Sequence, residues 1–463
     1  MNLQDEILKG LQAKFQFRKT KGDWLQEGMC PQCGKREAYC AAKEPKIVRC
    51  GRADRCGWED SVRSVLPDLF EDWTKRQPPT PENPNATAEA YLDHERGLDL
   101  RLLRGLFSQE VFRDYETGET AATVRFPLGD TYWERIIDRP GRFARKAHFR
   151  KGGSWRGLCW MPNGTTLATM AKAPRVWITE GIFDATALTQ AGLAAVSAMT
   201  CNVYPEKFLA DLAAQLQADG IATRPDLVFA FDVGSAGVSF SRKFVARARR
   251  EGWKATAAQV RPDGEGSKLD WNDLWLRQMG WRGDKDDGPL GPKALEEYLF
   301  NGAITIAETP HEKAKLIVDR ATKGARSITS FDMRHDNRIF WVKVTHDEDD
   351  GRKIDYHEIC NCAFRLLYRE RDEIADETHY FLRIDFPYES RPVKARFSSS
   401  ACANSAVFKK RLMAFAGMWT GTAEQLDRII KSQTRRLKTV EPIPSLGYAK
   451  DPGVWLLGDL AVH

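Results

Sequence analysis

RVWITEGIFDATALTQAG (175–192) and LVFAFDVGSAG (227–237) decide the architecture of this chain. Residues 176–178 and 227–231 are short apolar runs with the β-branched and aromatic content of buried parallel strands. The first run leads to Glu180 and the second to Asp232, with Gly181 and Gly237 just beyond. Helix-periodic sequence follows each, at 185–190 and 238–249. Strands alternating with helices imply βαβ units and a parallel sheet. In such sheets, side chains at the carboxyl ends of the strands line the ligand crevice. Carboxylates placed there suit a hard divalent cation such as Mg²⁺.

A third acidic group follows the next expected strand, 254–260. It reads KLDWND (268–273) and contains Asp270 and Asp273. Asp184 adds an acid four residues after Glu180, at the start of the expected helix. Acids converging from three strand ends make a negative pocket, which a metal or metal-bound phosphate neutralises. The alternative for any one of them is a helix N-cap.

ITEGIFDA and DVGSAG resemble the TOPRIM domain of primases, type IA and II topoisomerases and related nucleases. That pattern is a glutamate followed by glycine, then Asp-x-Asp-x-x-Gly. Glu180 and Gly181 match the first part, and Asp232 and Gly237 the second. Gly234 stands where the second aspartate falls, so one of the usual carboxylates is missing. Asp270 and Asp273 resemble the third acidic motif of primase-type members, with Leu269 inserted after Lys268. The resemblance implies catalytic roles for Glu180, Asp232, Asp184, Asp270 and Asp273. It implies Mg²⁺ or Mn²⁺ held by Glu180, Asp232 and Asp270.

At 463 residues the chain exceeds one ordinary domain, and roughly two to four are expected. Lysine and arginine number 70 against 64 acids, a net +6, so charge distribution matters more than the total. Residues 1–19 are charged and lack an apolar run, so no signal peptide is expected. No stretch of about 18 apolar residues offers a membrane span, and neither a membrane partner nor any site but the cytoplasm is expected. Five of the ten cysteines crowd into 30–56, which points to metal binding in a reducing compartment rather than to disulfides.

Residues 1–17 form an expected amphipathic helix, with Leu3, Ile7, Leu8, Leu11 and Phe15 on one face. MCPQCGKREAYC (29–40) and KIVRCGRADRCGW (46–58) follow. Tetrahedral zinc takes four soft ligands brought together by two tight turns. Cys30 and Cys33 suit one turn; Cys50 and Cys56, with five residues between them, suit the other. Cys40 is either a substitute ligand or a small buried side chain. The pattern resembles the zinc ribbon that opens phage- and plasmid-type replicative primases, which implies contact with single-stranded template. Residues 1–58 carry twelve Lys/Arg against seven Asp/Glu, which fits phosphate contact or a solvated basic surface.

QPPTPENPNAT (77–87) reads as a linker that lets the zinc module move. Residues 88–106 are expected to be helical, interrupted at Arg96-Gly97. Residues 131–156 carry eight Lys/Arg against two Asp/Glu, interleaved with Trp133, Phe143, His148, Phe149 and Trp155. That composition suits a nucleic-acid groove, or else a solvated sheet face. In primase-type relatives a small subdomain ahead of the TOPRIM sheet supplies basic residues to template and incoming nucleotide. The resemblance implies this role for Arg139, Arg142, Arg145, Lys146, Arg150 and Lys151.

GWRGDKDDGPLGP (280–292) reads as a second linker. Beyond it, 328–344 and 381–397 alternate like strands, and 405–415 and 423–430 look helical. Cys360 and Cys362 read as core residues. PSLGYAKDPGVWLLGDLAV (444–462) faintly resembles the region preceding the motor of mobile-element primase–helicases. No G-x-x-x-x-G-K-[ST] occurs, so a replicative helicase is expected as a separate partner.

The expected fold is α/β: a zinc ribbon (1–75), a linker (76–87), a small basic α+β subdomain (88–166), a TOPRIM-like parallel sheet (167–281) and an additional α+β C-terminal region (293–463) with no assigned task. The expected function is that of a DNA primase, a nucleotidyltransferase. It would make short RNA primers on single-stranded DNA from ribonucleoside triphosphates, in replication of a phage, plasmid or integrated mobile element. Structural Zn²⁺ and catalytic Mg²⁺ or Mn²⁺ are the implied cofactors. A TOPRIM-type metal-dependent nuclease is one alternative. A non-catalytic single-stranded-DNA-binding adaptor, suggested by Gly234, is the other.

Overall fold

Apolar residues recur every third or fourth position in Leu3–Phe15, which folds as helix α1 and buries Ile7, Leu11 and Phe15. They join one core with Ala38 and Val48 of the sheet that follows. That antiparallel sheet runs in chain order: β1 (Lys19–Lys21), β2 (Trp24–Gly28), β3 (Ala38–Ala41), β4 (Ile47–Cys50) and β5 (Glu59–Ser61). The computed structural model describes residues 3–53, 55–232, 234–260, 269–324, 327–347, 351–372, 377–389, 391–435, 437, 439–440, 447–449, 454–457 and 460–462. They form two units, Met1–Ile306 and Ala307–His463. Lys268 lies outside the described residues.

The proline-rich segment 77–87 does not divide two cores as a mobile linker would. Thr87 is fully buried, and its hydroxyl donates to the Gln77 carbonyl at 2.7 Å. One hydrophobic cluster runs from Ile7 and Val48 through Trp73 and Tyr91 to Phe126 and Phe183. Residues 78–82 and 84 are exposed, as a linker's would be, but the residues on either side of them share one core, and the zinc module is held on the body. Residues 88–106 are helical on either side of a break at Arg96-Gly97. Ala86–Ala90 runs into a π-helical turn, Tyr91–Glu95, followed by Gly97 in the left-handed region (φ 65°). A side chain at Gly97 would strike Leu276 and Met279, so the break is a close approach as well as a turn.

A second antiparallel sheet follows, β6 (Ser108–Arg113), β7 (Thr120–Leu128), β8 (Thr131–Ile136) and β9 (Ala147–Phe149). Next comes the parallel sheet. Its elements in order are β10 (Arg175–Thr179), α2 (Ile182–Gln190), β11 (Ala195–Ser197), α3 (Glu206–Ala218), β12 (Asp226–Ala230), α4 (Ser235–Arg250), β13 (Ala255–Ala257), α5 (Trp271–Met279) and α6 (Pro292–Ile306). The strand order is β11-β10-β12-β13, all parallel. Val176, Ile178, Leu227 and Phe229 pack with Phe208, Leu212 and Phe244 of α3 and α4. Trp177, Val228 and Ala230 pack on the other face with Leu188, Trp271 and Leu274 of α2 and α5. Both faces are covered, which is why these strands read as unbroken apolar runs.

The first unit extends past the expected boundary at 281. Leu290 joins the core with Trp271 and Tyr298, and the Tyr298 carbonyl accepts the Gln259 amide at 2.9 Å. Gly302 sits so close to Ala257 that any Cβ would collide with its carbonyl, which fixes α6 against β13.

The second unit pairs α7 (Pro310–Lys323) with the antiparallel strands β14 (Ser330–His335), β15 (Arg338–Asp347) and β16 (Gly351–Cys360), around Ala314, Val318 and Val342. A further sheet holds β17 (Ala363–Asp372), β18 (Glu377–Asp385) and β19 (Val393–Ser398). It packs on α8 (Ser405–Met413) and α9 (Ala423–Thr434) around Phe364, Phe397 and Phe408. Cys360 and Cys362 are buried there, as core residues.

Candidate functional site

β10 and β12 are neighbours, with Thr179 opposite Ala230. From β10 the chain leaves through α2 toward β11; from β12 it leaves through α4 toward β13 on the other side. The connections diverge at these two carboxyl ends, the switch point at which α/β sheets open a crevice. Glu180 is the first residue past β10, and Asp232 lies two past β12. The turn at Glu180 is pinned: its carbonyl accepts from the Ser197 hydroxyl at 3.1 Å, and Thr179 Oγ1 donates to the Gly181 carbonyl at 3.0 Å. A Cβ at Gly181 would lie 2.7 Å from Asp184 Oδ2, and one at Gly237 would collide with the Asp232 carbonyl oxygen. Both motif glycines are thus sites of close approach. Gly234 is different: nothing lies within 4 Å of its Cβ position, and its φ of 167° is ordinary extended backbone.

Asp184 is buried in the first turn of α2, where its Oδ1 accepts the Asn272 amide at 3.1 Å. Asp270 caps α5: its Oδ1 accepts the Asp273 amide at 2.6 Å, and Asp273 Oδ2 accepts the Asp270 amide at 3.3 Å. This is a capping box, so the N-cap alternative holds for Asp270. The acids nonetheless feel one another. Burial first, then the charges of Asp270 and Asp232, push the Asp184 carboxyl well above the usual range. Burial and then Asp270 push Asp273 up to about 6. The buried Cys201 thiol is raised to about 12 by burial and then by Glu180, with a smaller contribution from Asp232. Among the described residues, however, no three carboxylates bring their oxygens within 4.8 Å of one another.

Arg96 is a member of this site that sequence reasoning passed over. Its side chain is half-buried at the end of the π-helical turn, where its Nε donates to Tyr91 Oη at 2.9 Å and its guanidinium lies 4.9 Å from the Phe183 ring. Burial opposes its charge, but Tyr91, Glu95 and Asp270 outweigh that. The same cation lowers Asp184 and Asp273. Asn272 was missed too. Its Nδ2 donates to the Arg96 carbonyl at 2.8 Å, while its buried Oδ1 has no hydrogen-bond partner. The Arg96-Gly97 interruption of a helical pattern marked a break there but not a role for Arg96, and nothing local marked Asn272. The set fits a hard divalent cation: its donors are carboxylates under mutual repulsion, beside an orphaned amide oxygen.

The family model described as Toprim-like matches residues 177–275. That segment is a Toprim-like domain. No curated protein matches the chain. Among solved structures, the chain is similar to the RNA polymerase domain of Mycobacterium tuberculosis primase DnaG, at 16% identity over 51% of this chain and 90% of that one, with a TM-score of 0.32. A structure of that domain with double-stranded DNA gives 16%, 52%, 91% and 0.32 in the same order. The Aquifex aeolicus primase, comprising zinc-binding and RNA polymerase domains, gives 13% identity over 71% of this chain and 98% of that one, with a TM-score of 0.30. Identities and scores this low leave the site's chemistry to its own residues.

Ahead of the Toprim domain, Cys30, Cys33, Cys50 and Cys56 bring their sulfurs within 4.8 Å of one another. Cys30 lies 3.8 Å from Cys56, and Cys33 lies 3.9 Å from Cys50. Four sulfurs about 2.3 Å from a tetrahedral zinc stand about 3.8 Å apart, so the donor set fits zinc without rearrangement. The looser second pair closes because the chain between folds back: the Cys56 amide donates to the Arg52 carbonyl and the Cys50 amide to the Trp58 carbonyl, each at 2.8 Å. Cys40 is outside the cluster, with its thiol pushed up to about 12 by burial.

A cavity of about 700 Å³ lies between this module and the Toprim domain. Lys46, Arg63, Arg96, Arg139, Arg142 and Lys146 line it, with Glu71, Glu95 and Asp273. Three of the six sequence-predicted basic residues, Arg139, Arg142 and Lys146, therefore share a chamber with Asp273. Arg145, Arg150 and Lys151 do not line it; they are exposed. Arg139 pairs with Asp72 at 2.9 Å and Arg142 with Glu119 at 3.5 Å. Among the described residues no helix is long and apolar enough to cross a membrane.

Proposed function

We propose that the first unit is a primase-type nucleotidyltransferase, which joins ribonucleotides into short primers on a single-stranded DNA template. The observation that carries this reading is the juxtaposition of two opposite fields. Asp184, Asp232 and Asp270 of the Toprim domain lie close enough to influence one another, and six basic residues line a cavity that Asp273 also borders. A triphosphate with its cation is a ligand that both halves suit at once.

Glu180 and Asp232 would hold Mg²⁺ or Mn²⁺, with Asp270 beside them and Asp184 and Asp273 completing the charge. A divalent cation bound there activates an attacking 3′-hydroxyl and neutralises departing pyrophosphate. The protein's own part is positioning and electrostatics. Arg139, Arg142 and Lys146 would gather phosphate oxygens. Arg96, anchored by Tyr91, would keep its cation beside Asp270. Burial and the neighbouring acids favour the protonated form of Asp184, and a cation bound there would oppose them. The four-cysteine module would be loaded with zinc and would contact template.

The wider context we propose is replication of a phage, plasmid or integrated mobile element in the cytoplasm, with a separate replicative helicase. Its support is the order of zinc ribbon and Toprim domain, together with ten free cysteines.

A second reading has its own observation. Gly234 removes one carboxylate, and no three acid oxygens converge within 4.8 Å among the described residues. A DNA-binding adaptor without catalysis would look like this. Primer synthesis on single-stranded DNA with labelled ribonucleotides, in Mg²⁺ and in Mn²⁺, separates the two. Incorporation that disappears in Glu180→Gln is the expected result. Incorporation surviving that change refutes the metal assignment. Tight DNA binding with no incorporation under either metal favours the adaptor.

A further inference from the structure

Arg49 lies on β4 immediately before the zinc ligand Cys50, and it reaches the far end of α5. Its Nη1 donates to the Gly280 carbonyl at 2.7 Å and its Nη2 to the Arg277 carbonyl at 3.1 Å. Its Nε donates to Glu59 Oε2 at 3.1 Å, and Glu59 Oε1 holds the Arg277 side chain at 2.8 Å. Only 7% of Arg49 is exposed. The grip continues into the following turn, where the Arg49 guanidinium lies 5.6 Å from the Trp281 ring and Arg282 lies 4.7 Å from Trp24 and 4.4 Å from Tyr39. The last carbonyls of a helix have no intrahelical partner and carry negative partial charge, so a buried guanidinium satisfies both needs. Lys46, just ahead of the same strand, donates to the Asp93 and His94 carbonyls at 2.8 and 2.7 Å, close before Arg96.

We propose that Arg49 is a positioning residue that couples occupancy of the four-cysteine centre to the placement of Asp270 and Asp273. α5 is nine residues, about 13 Å, and behaves as a rigid rod between its two ends. At one end Arg49 ties it to the zinc module; at the other, its capping box carries the two acids. Zinc on Cys50 fixes the backbone from which Arg49 extends. Loss of zinc frees that backbone, and α5 loses the contact that sets its axial position. The proposal rests on reading the acids as a cation site, and its test keeps the two ideas apart.

The full-length protein is measured three ways: zinc content, amide hydrogen exchange across 271–279, and Mn²⁺ affinity by titration. Arg49→Ala is expected to keep its zinc, to speed α5 exchange about tenfold or more, and to weaken Mn²⁺ about tenfold, the scale of losing buried charge-assisted hydrogen bonds. Arg49→Lys keeps the charge but not the three-way fork and is expected to recover only part. Stripping zinc from the wild type is expected to reproduce both changes, and stripping it from Arg49→Ala to add little, because linkage runs through the same contact. Should Arg49→Ala lose zinc, Arg277→Ala decides, since it breaks the Glu59 bridge from the other side; faster α5 exchange with zinc retained is expected. Exchange within about twofold of wild type in both variants overturns the coupling. If Mn²⁺ binds the wild type and Asp232→Asn equally, the cation-site reading fails, while the exchange readout still judges Arg49.

Discussion

Asp184 and Asn272 join the two helices that carry the acidic site. The Asn272 amide donates to the Asp184 carboxylate at 3.1 Å, and the Asn272 side chain donates to the Arg96 carbonyl at 2.8 Å. One residue thus aligns three stretches that are far apart in the chain. The geometry also explains why Asp184 tolerates burial: it receives an otherwise unpartnered amide from the first turn of α5, at the positive end of that helix. That single bond does not offset burial and two neighbouring acids, and the carboxyl remains well above the ordinary range.

Stability should therefore depend on pH in a particular sense. A carboxyl raised in the folded state binds more protons folded than unfolded, so its contribution is present at low pH and fades as pH rises through the folded pKa. The window opens near the ordinary value of 3.8 and passes about 6 for Asp273, and Asp184 contributes in the same sense. Without metal, the denaturant midpoint of the first unit is expected to fall from about pH 4 to about pH 7, through the raised value of about 6 for Asp273. Millimolar Mg²⁺ is expected to restore it, and Asp184→Asn to remove most of the slope. A midpoint that stays flat over this range in the metal-free wild type refutes the charge coupling.

Gly234→Asp is expected to fold as the wild type does, because the Cβ position is open and the backbone is extended. It restores a carboxylate to the crevice, and Mn²⁺ affinity is expected to tighten about tenfold, as one added charged ligand allows. Calorimetric titration of both proteins checks this. Unchanged affinity means that position 234 faces away from the cation.

Gly237 is the contrasting case. Any Cβ there collides with the Asp232 carbonyl, and backbone cannot swing aside as a side chain can. Gly237→Ala is expected to lower stability by about 1–3 kcal/mol, in the range of overpacking, and to displace Asp232. Thermal unfolding and metal titration read the two consequences separately. A variant with wild-type stability would show that the loop relaxes freely.

The parallel sheet was legible because both faces of β10 and β12 are buried, so their apolar runs and the acids after them stand out in one dimension. The zinc ligands were legible for a similar reason: two tight turns write themselves as close cysteine pairs. Arg96, Asn272 and Arg49 were not. Arg49 meets Gly280 across 231 positions of chain, and no local periodicity encodes such a contact. The proline-rich 77–87 is exposed over 78–82, as its composition suggests, but composition could not show that the residues on either side share one core. Asp270 and Asp273 carried two readings at once, and the capping box shows the first of them, the helix cap.

The six basic residues singled out by sequence divide by position, and the division has separate consequences. Arg139, Arg142 and Lys146 line the cavity beside Asp273; Arg145, Arg150 and Lys151 lie outside it on exposed surface. Alanine at the first three is expected to weaken binding of a nucleoside triphosphate about tenfold or more, with little change in the salt dependence of single-strand binding. Alanine at the second three is expected to reduce the slope of log affinity against log salt by about 2, since each phosphate contact on a single strand contributes about 0.7. Fluorescence titrations with a labelled triphosphate and a labelled oligonucleotide, each over a salt series, separate the effects. If both triple variants lose triphosphate binding and salt slope in equal measure, the cavity is merely part of one continuous basic face, and its walls confer no selectivity.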